Sequence, residues 1–125
     1  MPTQRPATVS QRTSLFEDAV RIVEAEYHSD LSLDDIARRV ASSRRQLQRA
    51  YAEIGSTTFR DHITSVRMRR AAELLISGGA TVRDIARRVG YRQPAQFAKA
   101  FRRAFDTSPS EYRTRAVEAD VRRAA

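Results

Sequence analysis

The sequence predicts an all-α fold of about seven helices in two similar halves, and three observations support this prediction. The six residues Asp-Ile-Ala-Arg-Arg-Val at 35–40 recur unchanged at 84–89, which indicates an internal repeat. Serine or threonine precedes several segments that carry an acidic residue three positions later, a pattern typical of helix N-termini. Apolar residues recur three or four positions apart, as on one face of a helix. We therefore expect helices and no strand.

The composition favours a globular protein with a polyanionic partner. The chain has 125 residues, 41% of them apolar, and a formal net charge of +8, which suits either nucleic acid or an anionic membrane surface. All cationic residues except Lys99 are arginines, which bind phosphate or guanine at two points, although a GC-rich genome explains arginine usage equally well. The absence of cysteine excludes disulfides, thiolate metal sites and cysteine nucleophiles and suits the cytoplasm. No apolar run approaches the roughly 20 residues of a membrane span.

The first predicted element follows a flexible leader. Residues 1–13 are polar and contain prolines, so we expect no fixed structure and no secretory signal there. Ser14 and Glu17 form a capping box, which predicts a helix from residue 14 to about His28. The apolar stripe of this helix consists of Leu15, Ala19, Ile22, Val23 and Tyr27.

The first copy of the repeat lies in a predicted subdomain at 14–57. Ser32 and Asp35 mark the start of a short helix at about 32–40, and residues 41–43 form a turn. A second helix at about 43–54 is expected to bury Leu47, Tyr51 and Ile54. The segment is thus a short helix, a tight turn and a second amphipathic helix, which is the helix-turn-helix motif.

A long linker helix at 58–77 joins the two copies in this prediction. It begins at Thr58 and ends at two glycines, 78 and 79, and its apolar stripe consists of Ile63, Val66, Ala71, Leu74 and Leu75.

The second copy repeats the motif in a subdomain at 78–116. Thr81 and Asp84 start a helix at about 81–89, and a further helix at about 93–105 is expected to bury Phe97, Ala100, Phe101 and Ala104. Ser108 and Pro109 open the last helix, because proline at the first helical position loses no hydrogen bond. Residues 117–125 are predicted to be a fraying tail.

Residues 14–116 resemble the DNA-binding domain of the AraC/XylS family. The resemblance is carried by residues 84–91, by Phe97 and Phe101, and by residues 105–113, while Arg67 with residues 71–75 is similar to the family's linker helix. Three positions depart from the family pattern. Asp106 replaces the usual glycine, Pro94 interrupts the start of the second helix of the second motif, and Ala41 replaces a turn glycine. The last departure predicts a first turn without a positive φ.

The resemblance implies a sequence-specific transcription regulator that binds double-stranded DNA. In a helix-turn-helix the second helix enters the major groove, so its exposed polar residues contact base edges. In copy one the predicted base-reading residues are Arg45, Gln48 and Arg49, because arginine matches guanine and glutamine matches adenine. In copy two the corresponding residues are Pro94, Ala95, Gln96 and Lys99, a set with fewer hydrogen-bond donors.

Other basic and polar residues are predicted to bind phosphates, which position the protein without reading sequence. These are Arg44, Arg92, Gln93, Arg102 and Arg103. The doubled arginines 38, 39, 87 and 88 are weaker candidates of the same kind. A solvated basic face is the alternative for all these side chains.

One chain already supplies two motifs, so we expect a monomer that reads an asymmetric site, with its reading helices in successive major grooves about 34 Å apart. RNA polymerase is the implied partner of an activator, although the sequence does not decide between activator and repressor. No cofactor, metal site or small-molecule effector is indicated. Met1 and the leader favour a stand-alone regulator over a fragment of a longer one.

Two other classes of function fit less well. A basic protein that binds membranes or nucleic acid without sequence preference predicts scattered lysines and no doubled motif, whereas the sequence has the opposite. An enzyme requires a group of reactive side chains, but His28 and His62 lie in different helices and in no pattern with an acid and a nucleophile. His62 matches Tyr112 in the repeat and is expected to be a packing residue.

Overall fold

The computed structural model describes the backbone of residues 6–124 and the side chains of residues 8–124. This part of the chain forms seven α-helices and no strand, which confirms the predicted fold class. The helices are α1 (Pro6–Glu26), α2 (Leu33–Arg39), α3 (Arg44–Glu53), α4 (Phe59–Ser77), α5 (Val82–Arg88), α6 (Pro94–Phe105) and α7 (Pro109–Ala124). None of them combines the length and the apolarity that a membrane-spanning helix needs.

The chain divides into two units, and the division falls inside a helix. The N-terminal unit ends at Ile63 and the C-terminal unit begins at Thr64, so α4 contributes its first turn to one unit and the rest of its length to the other. The linker helix expected at 58–77 is therefore present as α4, but its residues belong to the cores of both units rather than to a separate connection.

The start of α1 differs from the prediction. The helix begins at Pro6, so the expectation of a flexible leader is wrong for residues 6–13, and residues 1–5 lie outside the described part of the chain. Ser14 is inside the helix, where a Ser-x-x-Glu pattern has no free amide to cap. Proline at the first helical position loses no hydrogen bond, which lets α1 start there.

Four other helix starts are capped as their sequences predict. The hydroxyl oxygens of Ser32, Thr58, Thr81 and Ser108 each accept a hydrogen bond at 3.1 Å from the backbone N–H three residues later. Each bond satisfies one of the donors that a first helical turn leaves open. The predicted boundaries of α2, α4, α5 and α7 follow from these caps, and the tail predicted at 117–125 is helical through Ala124.

Tyr51 lies at the centre of the N-terminal unit. Its ring is 1% exposed and meets Phe16 edge-on at 5.2 Å and Phe59 at 6.1 Å between ring centroids. The phenol also lies 2.8 Å from Nδ1 of His62, so His62 is a hydrogen-bonded packing residue, as expected from the repeat. The surrounding core consists of Ala19, Val23, Ile36, Ala37, Leu47, Ala50 and Ile63, while Ile54 is only half-buried.

Aromatic rings organise the C-terminal unit. Phe101 is fully buried and lies 5.9 Å from Phe97, 4.6 Å from Phe105 and 5.3 Å from Tyr112 between centroids. Helix α4 adds Val66, Met68, Ala71, Ala72 and Leu75 to this core, and α5 adds Ile85 and Ala86. Ala100 and Ala104 were predicted to be buried with the aromatic rings, but Ala100 is half-buried and Ala104 is exposed.

The two helix-turn-helix turns have the same backbone geometry. Ala41 donates its N–H to the carbonyl of Arg38, and Gly90 donates to the carbonyl of Arg87, both at 3.1 Å. The next residue in each turn donates to the carbonyl five positions back, which completes a Schellman-type ending. This ending needs a positive φ, which is +54° at Ala41 and +106° at Gly90. The prediction that Ala41 avoids a positive φ is therefore wrong.

Candidate nucleic-acid interface

Helix α3 presents one apolar and one polar face. Leu47, Ala50 and Tyr51 are buried, and Ser43 caps the helix by accepting a hydrogen bond from the Gln46 N–H at 3.1 Å. The predicted base-reading residues of copy one, Arg45, Gln48 and Arg49, are all exposed. Their spacing places them on one side of the helix, opposite the buried residues.

These three side chains have no ion pair or hydrogen bond to the rest of the described chain. Arg44 differs, because its guanidinium lies 3.4 Å from the carboxylate of Asp34 in α2. Both partners of that pair are about 60% exposed, so water screens their attraction. The donors of Arg45, Gln48 and Arg49 are thus available to an external ligand without breaking an intramolecular contact.

Gln46 is a further exposed polar residue on α3 and was not among the predicted DNA contacts. Its side-chain carbonyl accepts a hydrogen bond from the Ser42 hydroxyl at 2.8 Å, which leaves its amide N–H groups as donors. The signal was present in the sequence, because Gln46 precedes Arg49 by three positions and so shares its side of the helix.

Helix α6 offers a different set of groups. It begins at Pro94, so this proline does not interrupt the helix as predicted but occupies the first position, where its missing N–H has no partner to lose. Ala95, Gln96 and Lys99 are exposed with it, while Phe97 on the opposite face is buried. Copy two therefore presents an amide, an ammonium group and two apolar surfaces.

The predicted phosphate contacts of copy two surround these residues. Gln93 is the N-cap of α6 without a side-chain capping bond, and Arg92 precedes it. Arg102 and Arg103 lie in the last turn, where positive charge interacts favourably with the helix dipole. All four side chains are exposed.

The doubled arginines of copy one already have carboxylate partners. Arg39 donates to both oxygens of Glu26, at 2.8 and 2.5 Å, and this pair holds the pKa of Glu26 below its ordinary value. Arg38 pairs with Asp35 in the same helix. Arg87 and Arg88 are exposed, so phosphate binding stays a prediction for them.

Arg67 in α4 supports the turn of copy two. Its guanidinium carbon lies 5.7 Å from the centre of the Tyr91 ring, a cation–π geometry. The Tyr91 phenol hydrogen-bonds with Thr64, and burial raises its pKa. A Cβ atom on Gly90 would lie 3.0 Å from the Arg67 guanidinium, so a larger residue there would push this side chain away by a few tenths of an ångström. These contacts fix the turn that sets the start of α6.

Histidine and carboxylate side chains do not gather anywhere between residues 8 and 124 into a group that could hold a metal ion.

Comparison with known proteins identifies the family. A family model described as a helix-turn-helix domain matches residues 19–115. The regulatory protein SoxS of Escherichia coli K12 is 31% identical over 101 residues, which cover 81% of this chain and 94% of SoxS. This chain belongs to the AraC/XylS family. Its relatives therefore act as transcription regulators.

Other members of the AraC/XylS family are longer. The lactose operon transcription activator of Staphylococcus xylosus is 32% identical over 97 residues, which cover 78% of this chain but 35% of the activator. The chain thus spans about a third of that relative's length and almost all of SoxS.

Solved AraC-type structures have the same fold. The AraC-type regulator of Chromobacterium violaceum is 29% identical with a TM-score of 0.79, and the match covers 86% of this chain and 96% of that one. The DNA-binding domain of AdpA, solved in complex with a target DNA, is 25% identical with a TM-score of 0.75 over 79% of this chain and 89% of that domain. This chain therefore has the AraC-type helix-turn-helix DNA-binding fold.

Proposed function

We propose that this AraC-family protein binds one asymmetric double-stranded DNA site as a monomer, with α3 and α6 in successive major grooves. The observation that carries the proposal is the exposed face of α3, where Arg45, Gln48 and Arg49 have no partner in the described chain. Polar side chains that lie at helical spacing and have no internal partner can bind base edges in a major groove. The second motif is expected to meet base edges about 34 Å further along the duplex. The DNA-binding domain of AdpA, which has the same fold, was solved in complex with a target DNA, and this supports DNA as the ligand.

The two reading helices have different roles in this proposal. Arg45 and Arg49 bind guanine O6 and N7, and Gln48 binds adenine. In α6, Gln96 and Lys99 supply hydrogen bonds while Pro94 and Ala95 contact thymine methyl groups. The residues that bind phosphates are Arg44, Arg92, Gln93, Arg102 and Arg103.

We further propose that the protein acts in the cytoplasm without catalysis, and that it activates transcription through contact with RNA polymerase. The name of the Staphylococcus xylosus relative, a transcription activator, supports this direction.

The test begins with selection of bound fragments from random duplex DNA, followed by affinity measurements on a selected and a scrambled duplex across salt. Arg49→Ala is expected to cost about 1–3 kcal/mol on the selected duplex and to relax preference at one position. Arg102→Ala is expected to weaken binding to both duplexes alike and to make the salt slope shallower by about one unit. Equal affinity of the parent protein for both duplexes at every salt concentration would refute sequence-specific binding.

The relative weight of the two helices is tested by four variants profiled on a randomised library. We expect Arg45→Ala and Arg49→Ala to erase more preference than Gln96→Ala and Lys99→Ala, because α3 offers more paired donors to the groove. The opposite order would make α6 the main reading helix.

A further inference from the structure

A small cavity lined by polar and apolar groups lies between the N-terminal half of α1 and the reading helix α3. Its volume is about 150 Å³, and it is lined by Thr8, Gln11, Arg12 and Leu15 of α1 and by Gln46 and Arg49 of α3. We call this the α1–α3 groove. The α1 residues that line it precede residue 19, where the match to the family model begins.

The first turns of α1 are fixed against α3 by two contacts. Arg12 forms an ion pair with Glu53 near the end of α3, and its side chain is only 17% exposed. One turn further along α1, the Phe16 ring packs edge-on against Tyr51 of α3. The groove is therefore a fixed feature of the N-terminal unit.

The groove combines hydrogen-bond donors with one uncompensated positive charge. Glu53 offsets the charge of Arg12, so Arg49 supplies the net charge. Gln46 keeps its amide donors because the Ser42 hydroxyl binds only its carbonyl oxygen. Gln11 adds a second amide, and Leu15 is the one apolar side chain of the lining. This chemistry suits a small anion with several acceptor oxygens.

The volume of the groove and its position beside α3 limit which anion it can bind. Pockets for small-molecule ligands enclose roughly 300–1,000 Å³, which exceeds this volume. A helix about 10–12 Å in diameter fills a major groove about 12 Å wide, so an element packed beside a reading helix meets the phosphates of the groove wall. Arg49 lines the cavity and also lies on the predicted reading face of α3, so the cavity borders the surface that is expected to face DNA.

We propose that the α1–α3 groove binds one backbone phosphate at the edge of the major groove that α3 enters, with Gln11 and Gln46 as donors. The inference rests on the proposed function, because it requires α3 to enter DNA. It adds the N-terminal half of α1 to the DNA-binding surface.

The test compares Gln11→Glu with the control Ser10→Glu in the full chain. Both place a new carboxylate at an exposed position of α1, but only residue 11 lines the groove. Gln11→Glu is expected to lower affinity about 10-fold on selected and scrambled duplexes alike, as loss of a charge-assisted hydrogen bond implies. Because the new carboxylate cancels one positive charge beside the phosphate, the salt slope is also expected to become shallower, by about 0.9 at most. Ser10→Glu is expected to stay within about twofold of the parent, because its charge is solvated and screened.

Two arginine substitutions test the same site by a gain of binding, which misfolding of a variant cannot produce. Gln11→Arg is expected to tighten binding to both duplexes and to steepen the salt slope, whereas Ser10→Arg changes neither beyond the screened effect of a surface charge. In duplexes that carry a single methylphosphonate, the difference between the parent and Gln11→Glu is expected to vanish at one backbone position.

Equal effects of the Gln11 and Ser10 substitutions would overturn the phosphate-site proposal. In that case, loss of preference for the selected duplex in Arg49→Ala would show that the proposed function stands without the phosphate site. Saturable binding of inorganic phosphate to the groove, with an unchanged DNA salt slope in Gln11→Glu, would also overturn it in favour of a free-anion site. Failure of the parent to prefer its selected duplex would instead refute the proposed function.

Discussion

Alanine substitution of the turn glycine in copy two is expected to have two effects, backbone strain at a positive φ and displacement of Arg67, and a second glycine allows them to be separated. In Gly90→Ala the new Cβ meets the Arg67 guanidinium at 3.0 Å on a backbone with a φ of +106°. Gly79 has a φ of +90° and no atom within 4 Å of a Cβ built on it. Gly79→Ala therefore introduces backbone strain alone, whereas Gly90→Ala adds displacement of Arg67 from the Tyr91 ring.

The magnitudes follow from these environments. Alanine at a positive φ costs about 1–2 kcal/mol, and its lower entropy in the unfolded chain returns about 0.4–1 kcal/mol. We expect Gly79→Ala to lower the free energy of unfolding by about 1 kcal/mol. Loss of the cation–π contact adds about 0.5–2 kcal/mol, so Gly90→Ala is expected to cost about 1.5–3 kcal/mol. The reverse change in copy one, Ala41→Gly, is expected to stabilise by about 0.5–1 kcal/mol, because Ala41 has a φ of +54°.

Urea denaturation followed by circular dichroism measures all three variants. In thermal melts each kcal/mol corresponds to about 4–8 °C for a unit of this size. Equal losses in Gly90→Ala and Gly79→Ala would show that Arg67 does not fill the space above Gly90. A lower stability of Ala41→Gly than of the parent would refute the claim that the first turn is strained.

Three further predictions concern the cores and one ion pair. Phe101→Ala is expected to cost about 3–5 kcal/mol because the ring is fully buried, and a melt unchanged from the parent would contradict this. Tyr51→Phe is expected to cost about 0.5–1.5 kcal/mol in denaturant, since it removes the hydrogen bond with His62. Arg39 lowers the pKa of Glu26 from 4.5, so the pair stabilises the fold above that pH and loses its effect as pH falls through the lower folded value. Glu26→Gln is therefore expected to flatten the acid limb of the pH–stability curve.

Most of the helices were predictable because their signals are local. Ser32 and Thr81 cap the helices that their sequences indicate, and Phe97 and Phe101 are buried as their spacing predicts. The exposure of Arg45 followed from the position of its buried neighbours on α3.

Other features depend on contacts that no local pattern contains. The start of α1 at Pro6 is tied to an ion pair between Arg12 and Glu53, which are 41 residues apart in the sequence. The positive φ of Ala41 follows from the Schellman bonds of the turn, which override the residue's own preference. The α1–α3 groove could not be predicted for the same reason, because its lining comes from two separate segments.

The exposed position of Lys99 on α6 has a practical consequence. It is the single lysine of a chain without cysteine, so an amine-selective reagent can modify its ε-amine and, besides it, the N-terminal α-amine alone. A probe coupled to Lys99 lies on the second reading helix, and no residue has to be substituted to attach it. The rate of coupling at Lys99 in the presence of duplex, measured separately from coupling at the α-amine, then reports occupancy of the second motif.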